Sequence, residues 1–93
     1  MHYLYILHSK AIDKFYVGET YDIKERMQNH NQHYYQNAFT KIANDWECVL
    51  SFECPTQTDA RYLENFIKRM KSKNFIQKII NNPNILTDIL SKK

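Results

Sequence analysis

Glycine, proline and cysteine are scarce in this 93-residue chain, which contains one glycine, two prolines and two cysteines. Cys48 and Cys54 lack the paired CxxC spacing of a zinc ribbon, so a structural zinc site is unsupported. They are predicted to lie at opposite ends of one strand, where their separation makes a disulfide geometrically awkward. We therefore expect two reduced, structural thiols.

Long apolar runs are also missing. No stretch approaches the roughly 18 apolar residues that a membrane-spanning helix requires. The N-terminal apolar run, residues 3–7, is too short for a signal peptide, and a polar segment follows it at once. We expect a cytoplasmic protein that does not interact with membranes. Its 43% of hydrophobic residues are enough for one modest core, and therefore for one domain.

The charge is mildly basic, with a net value of +3 and a pI near 8.9, which permits nucleic-acid binding without demanding it. Its distribution is more informative, because the acidic residues are scattered while basic residues crowd one segment. That segment contains Lys68, Arg69, Lys71, Lys73 and Lys78. Charge alone still favours an ordinary solvated helix face.

Two runs rich in β-branched and aromatic residues, 3–7 and 14–18, predict a β-hairpin. Its connection contains no glycine, so the turn type stays open. A third strand is predicted over residues 46–52, where Trp46, Cys48 and Leu50 alternate with a second set that also contains an apolar residue. Both faces of this strand are therefore expected to be sheltered.

Three helices are predicted. The first covers about residues 22–31, with Thr20 or Asp22 as its N-cap. The second follows Thr56 and Asp59, which resemble a capping box, and its core stripe is predicted from the spacing of Ala60, Leu63, Ile67 and Met70. The third covers about residues 72–81 and ends before Pro83. We expect an α+β (α/β) fold with a small three-stranded sheet, antiparallel or mixed, flanked by three or more helices.

The expected domain covers residues 1–82. Residues 83–93 form a tail that either adds a short helix or frays. Residues 30–44, between the first helix and the third strand, are polar and aromatic without a clear period, and we interpret them as an ordered loop.

Two short motifs stand at the predicted strands: Tyr3-Leu4-Tyr5 and Tyr16-Val17-Gly18. With the later residues described below, they resemble the GIY-YIG nuclease family over about residues 1–80. The first motif lacks the family's glycine but keeps the tyrosine that ends it, Tyr5. Gly18 is the sole glycine of the chain, so its backbone is expected to need a positive φ or the close approach of another group.

Three further positions carry the resemblance. Arg26 and His30 are four residues apart, hence neighbours on one helix flank, and match an arginine and a histidine or tyrosine of the family. Glu64, on the second long helix, matches the family's metal-binding glutamate. Arg26, Glu64 and the tyrosines are unremarkable when taken singly, and only their joint spacing favours the family.

The resemblance implies a metal-dependent endonuclease that hydrolyses phosphodiester bonds of nucleic acid, with DNA favoured. It implies one Mg²⁺ (or Mn²⁺) at Glu64, because such hard cations prefer oxygen ligands and Mg²⁺ keeps most of its water shell. Arg26 would contact the phosphate, and Tyr5 would take the proton from the attacking water, with Tyr16 and His30 assisting. Because a tyrosine ordinarily ionises near pH 10, positive charge from the metal or Arg26 must favour the phenolate.

Nucleic acid would be gripped by basic and aromatic side chains, through phosphate contacts or base stacking. The candidates are Lys68, Lys71, Lys73, Tyr34 and Tyr35. Glu19 stands where some relatives carry a lysine, and its carboxylate would repel DNA unless it points away.

In so short a chain we expect no separate recognition domain. We therefore expect low sequence specificity, recognition of an unusual DNA structure, or a protein partner that supplies specificity. The protein itself is expected to be a monomer or a weak dimer. The alternatives are a catalytically inactive nucleic-acid-binding module of the same fold and a protein-interaction domain.

Overall fold

The computed structural model describes residues 1–26 and 42–93. Within them, strands β1 (His2–Ser9), β2 (Lys14–Thr20) and β3 (Glu47–Cys54) form an antiparallel sheet in the order β2-β1-β3. Three helices follow: α1 (Gln57–Met70), α2 (Lys73–Asn81) and α3 (Asn84–Ser91). Residues 23–26 are also helical. The predicted α+β fold and hairpin are confirmed, and the sheet is antiparallel throughout.

The central strand β1 contributes to two cores, because successive strand residues point to opposite faces of the sheet. Leu4 and Ile6 belong to a large core that includes buried residues of α1, α2 and α3. Tyr5 and Leu7 pack with Trp46 on the other face. All five side chains are buried, so β1 is covered on both faces while β2 and β3 form the edges of the described sheet.

A shift in register corrects the prediction that Trp46, Cys48 and Leu50 share one face. Leu50 pairs with Ile6, whereas the next residue of β1, Leu7, pairs with Cys48. β3 therefore contains one extra residue, a bulge at Val49, which changes the face of every residue beyond it. Leu50 packs in the large core, Cys48 packs with Trp46, and Val49 is exposed instead of sheltered.

Helix α1 begins at the predicted cap: the Thr56 hydroxyl accepts a hydrogen bond from the Asp59 backbone N–H at 3.1 Å. Three residues of the predicted core stripe, Ala60, Leu63 and Ile67, are buried. Met70 was wrongly placed in that stripe, since its side chain is 48% exposed. The helix ends there, because Lys71 adopts a left-handed conformation with φ of 47°.

Residues 83–93 pack onto the rest of the chain. Leu86 of α3 is fully buried in the large core, and Lys93 donates a hydrogen bond to Asp59 at 2.7 Å. These contacts join the C-terminal segment to α1. None of the helices in the described ranges is long and apolar enough to cross a membrane.

Candidate active site

Tyr5 and Gly18 face each other across the β1–β2 hairpin. Paired residues project to the same face of a sheet, so the Tyr5 ring lies across Gly18. A methyl group at Gly18 would lie only 2.5 Å from Oη and 2.6 Å from Cζ of Tyr5. Gly18 does not have a positive φ. Of the two explanations for the sole glycine, the close approach of a side chain is the correct one.

Tyr16 stands beside Tyr5 on the same face. It pairs with Leu7, two residues along β1 from Tyr5, and the two tyrosine rings are 6.2 Å apart between centroids. Tyr5 is only 2% exposed, whereas Tyr16 is partly exposed on the edge strand. The hairpin thus brings the tyrosines of both motifs into one aromatic pair.

Helix α1 runs alongside β2 and is held against it at two points. Near its start, Gln57 and Arg61 contact the Glu19 carboxylate at 3.3 and 3.5 Å. Near its end, the Lys68 ammonium lies 5.8 Å from the centroid of the Tyr16 ring. The two elements match in length, because seven helical residues and three strand residues each rise about 10 Å.

Glu64 lies between these two points of contact. It is one turn beyond Arg61 and one turn before Lys68 on the same side of α1, which places it beside β2 between Tyr16 and Glu19. Its side chain is 20% exposed, and its Oε2 accepts a hydrogen bond from the Lys68 ammonium at 2.6 Å. A continuous series of contacts therefore connects Tyr5, Tyr16, Lys68 and Glu64.

The donor set suits a cation that needs few protein ligands. Within residues 1–26 and 42–93, no group of three His, Cys, Asp or Glu side chains is placed to hold a metal ion. Glu64 would be the single carboxylate, which fits Mg²⁺ because that ion usually keeps several waters and is bound through one or two carboxylates plus substrate phosphate.

Glu19 points away from the tyrosine face. It pairs with Leu4, whose side chain faces the helices, and its carboxylate contacts His2, Gln57 and Arg61. The side chain is 14% exposed. Since it is directed toward α1, its charge does not face the Tyr5–Tyr16 pair.

The helix predicted from residue 22 starts on the tyrosine face. Asp22 is its cap, accepting a hydrogen bond from the Glu25 backbone N–H at 3.0 Å, and Ile23 packs with the Tyr5 core. Arg26, in the helical residues 23–26, is partly buried. His30, Tyr34 and Tyr35 lie outside the described residues.

All three predicted nucleic-acid-binding lysines, Lys68, Lys71 and Lys73, line one groove between β2 and the α1–α2 junction. Lys14, which sequence reasoning missed, lines it as well. No motif singles out Lys14, because its place depends on how the hairpin packs against α1.

A set of hydrogen bonds that stabilises the hairpin turn was also not predicted from the sequence. The Asp45 carboxylate accepts hydrogen bonds from the Ser9 hydroxyl at 2.5 Å and the Ala11 backbone N–H at 3.0 Å. These bonds lower the pKa of Asp45 below its ordinary value. They connect the turn to the segment that enters β3 and so stabilise the strand that carries Tyr5.

The described residues thus form an antiparallel sheet with paired motif tyrosines, flanked by a helix that carries a glutamate. The model of the GIY-YIG catalytic domain matches residues 1–79, and the chain belongs to this family of endonucleases. Comparisons with curated proteins and with solved structures give no significant match.

Proposed function

We propose that this protein is a metal-dependent endonuclease that hydrolyses phosphodiester bonds of nucleic acid, with DNA as the favoured substrate. The observation that supports it best is the series of contacts from Tyr5 through Tyr16 and Lys68 to Glu64. A merely structural hairpin does not require a carboxylate beside its paired tyrosines.

Each residue of the series has a chemical role in this proposal. Glu64 would hold one Mg²⁺ or Mn²⁺, which when bound supplies electrostatic stabilisation to the phosphate and the leaving oxygen. Tyr5 takes the proton from the attacking water, and its burial against Gly18 fixes the direction of its hydroxyl in advance. Arg26 donates hydrogen bonds to the phosphate, and Tyr16 and His30 assist Tyr5.

Lys68 lies between the Glu64 carboxylate and the place proposed for the substrate phosphate. Its side chain is 48% exposed and flexible, so the ammonium can turn from Glu64 toward a phosphate without moving α1. In the absence of substrate it balances the Glu64 charge. An i,i+4 pair of this kind is worth only about 0.3–0.5 kcal/mol, so its rearrangement costs little.

The test incubates the purified protein with branched, single-stranded and duplex DNA in the presence of Mg²⁺ or Mn²⁺. Glu64→Gln and Tyr5→Phe should each lower the cleavage rate by about 100-fold or more. Glu53→Gln, an exposed carboxylate on β3, is the matched control and should cleave normally. Calorimetric titration with Mn²⁺ should show weaker binding for Glu64→Gln alone.

Unchanged cleavage in both active-site variants would overturn the mechanism. Binding without cleavage of any substrate would support the alternative, a nucleic-acid-binding module, for which the lysine-lined groove would suffice.

A further inference from the structure

The groove beside β2 combines a basic rim with an apolar floor. It has a volume of about 530 Å³, within the range of small-ligand sites. Its rim carries lysines from β2, from α1 and from the α1–α2 junction onward: Lys14, Lys68, Lys71 and Lys73. Its floor is formed by the partly exposed Phe15 and Ile76, with the buried Val17 and Ile67 beneath them.

The positive charge of the rim favours an anionic ligand. Asp13 is the acidic residue among the lining residues, and its carboxylate already accepts a hydrogen bond from Lys73 at 2.6 Å. Lys14 and Lys71 form no ion pair within the described parts of the chain. These two ammonium groups are therefore available to phosphates.

The apolar floor selects the form of nucleic acid. An intact duplex presents phosphates and sugars outward and keeps its bases stacked, so an apolar floor adds nothing to its binding. A single strand can place an unpaired base on apolar or aromatic side chains while its phosphates contact the surrounding cations. We infer that the groove binds an unpaired nucleotide of a single-stranded segment, with its base on the floor and its phosphates on the lysines.

The groove adjoins the candidate active site, because Tyr16 lines the groove and also contacts the Tyr5 ring. Lys68 likewise lines the groove and pairs with Glu64. This inference rests on the proposed function and names its substrate class: nucleic acid with an unpaired segment next to the cleaved bond, such as a flap, bubble or junction.

The decisive comparison is between a short single strand and an abasic strand of the same length, which has the same phosphates without bases. Fluorescence anisotropy with the full chain in EDTA measures binding without cleavage. The intact strand should bind about tenfold tighter than the abasic strand, as expected for stacking of about one base. It should also bind more tightly than the corresponding duplex. Equal binding of the intact and abasic strands, tighter binding of the duplex, or equal binding of a polyglutamate peptide would overturn the inference.

Single substitutions distinguish the contribution of the rim lysines to binding from that of the apolar floor. Lys14→Gln and Lys71→Asn should weaken binding of intact and abasic strands alike and reduce the salt-dependence slope by about 0.7 each. Asparagine suits position 71, because it tolerates the left-handed backbone there. Phe15→Leu should weaken binding of the intact strand alone. Lys78→Gln is the control on α2 outside the groove and should change neither.

The two proposals fail in different ways. Preference for the intact strand without cleavage of any substrate contradicts the nuclease proposal and keeps the groove assignment. Cleavage that depends on Glu64, without tighter binding of the intact strand than of the abasic strand, supports the nuclease proposal and contradicts the groove assignment. The comparison of strands uses the unaltered protein, so it still tests base recognition if Phe15→Leu does not fold, and Lys14→Gln and Lys71→Asn still test whether the strand lies in the groove.

Discussion

Replacing Gly18 with alanine tests the contact on which the arrangement of the tyrosines depends. The added methyl would lie 2.5–2.6 Å from the phenol end of Tyr5, closer than side-chain carbons approach other heavy atoms. The ring has little room to yield, because Tyr5 is 2% exposed and packs with Leu7, Trp46 and Tyr16. Gly18→Ala must therefore displace Tyr5 or the strand beneath it.

The expected magnitude is the balance of two effects. Alanine in an extended strand gains about 0.5–1 kcal/mol over glycine by restricting the unfolded chain. Overpacking a core costs about 1–3 kcal/mol. The balance makes the variant less stable by up to about 2.5 kcal/mol, and each kcal/mol lowers Tm by about 4–8 °C in a domain of this size.

Urea denaturation of a double-mutant cycle isolates the cause. The three atoms nearest the added methyl are Oη, Cζ and Cε1 of Tyr5, none of which exists in leucine. In a Tyr5→Leu background, Gly18→Ala should therefore be neutral or stabilising, whereas Tyr5→Phe should relieve only part of the clash. If Gly18→Ala lowers the free energy of unfolding equally with tyrosine, phenylalanine or leucine at position 5, the close approach of Tyr5 does not explain the glycine.

Two further predictions follow from pKa shifts. Hydrogen bonds from Lys73 and His8 lower the pKa of Asp13 below its ordinary value of 3.8, so the stabilisation from its carboxylate is present at neutral pH and is lost as pH falls through the lowered pKa. Asp13→Asn should therefore lower the urea midpoint at pH 7, and the difference from the unaltered protein should shrink progressively at acidic pH. Burial raises the pKa of Cys48 and Cys54, so both thiols should alkylate slowly at pH 8 until urea unfolds the chain. Rapid labelling of fully buried Cys54 in the native protein would contradict this.

The sequence predicts well the features that depend on local interactions. The hairpin strands, the Thr56 cap and the buried positions of α1 follow from alternation, capping chemistry and helical spacing, which involve neighbours in the chain. Met70 was misassigned because helical spacing does not show where a helix ends. The left-handed Lys71 is not one of the residue types that usually mark such an end.

Features that depend on long-range packing could not be predicted. The bulge at Val49 is defined by pairing with β1, more than forty residues away, and nothing in the alternation of β3 reveals it. The direction of Glu19 depends on its contacts with α1, and Lys14 joins the basic residues only when α1 packs against β2. Motif spacing supplied the candidate site residues, which stay predictions, but it did not indicate the groove that adjoins them.

The positions of β1 and β2 in the sheet explain how one small domain could carry both the proposed catalytic tyrosine in a fixed orientation and an accessible groove. Tyr5 lies on the central strand, where neighbours on both sides bury it and fix its orientation. Tyr16 lies on the edge strand, where its ring is partly exposed and reaches both Tyr5 and the groove. Exchanging these positions would expose the proposed base and bury the tyrosine that lines the groove. An antiparallel hairpin with one central and one edge strand can therefore hold one tyrosine in a fixed orientation while it leaves the other accessible to a ligand.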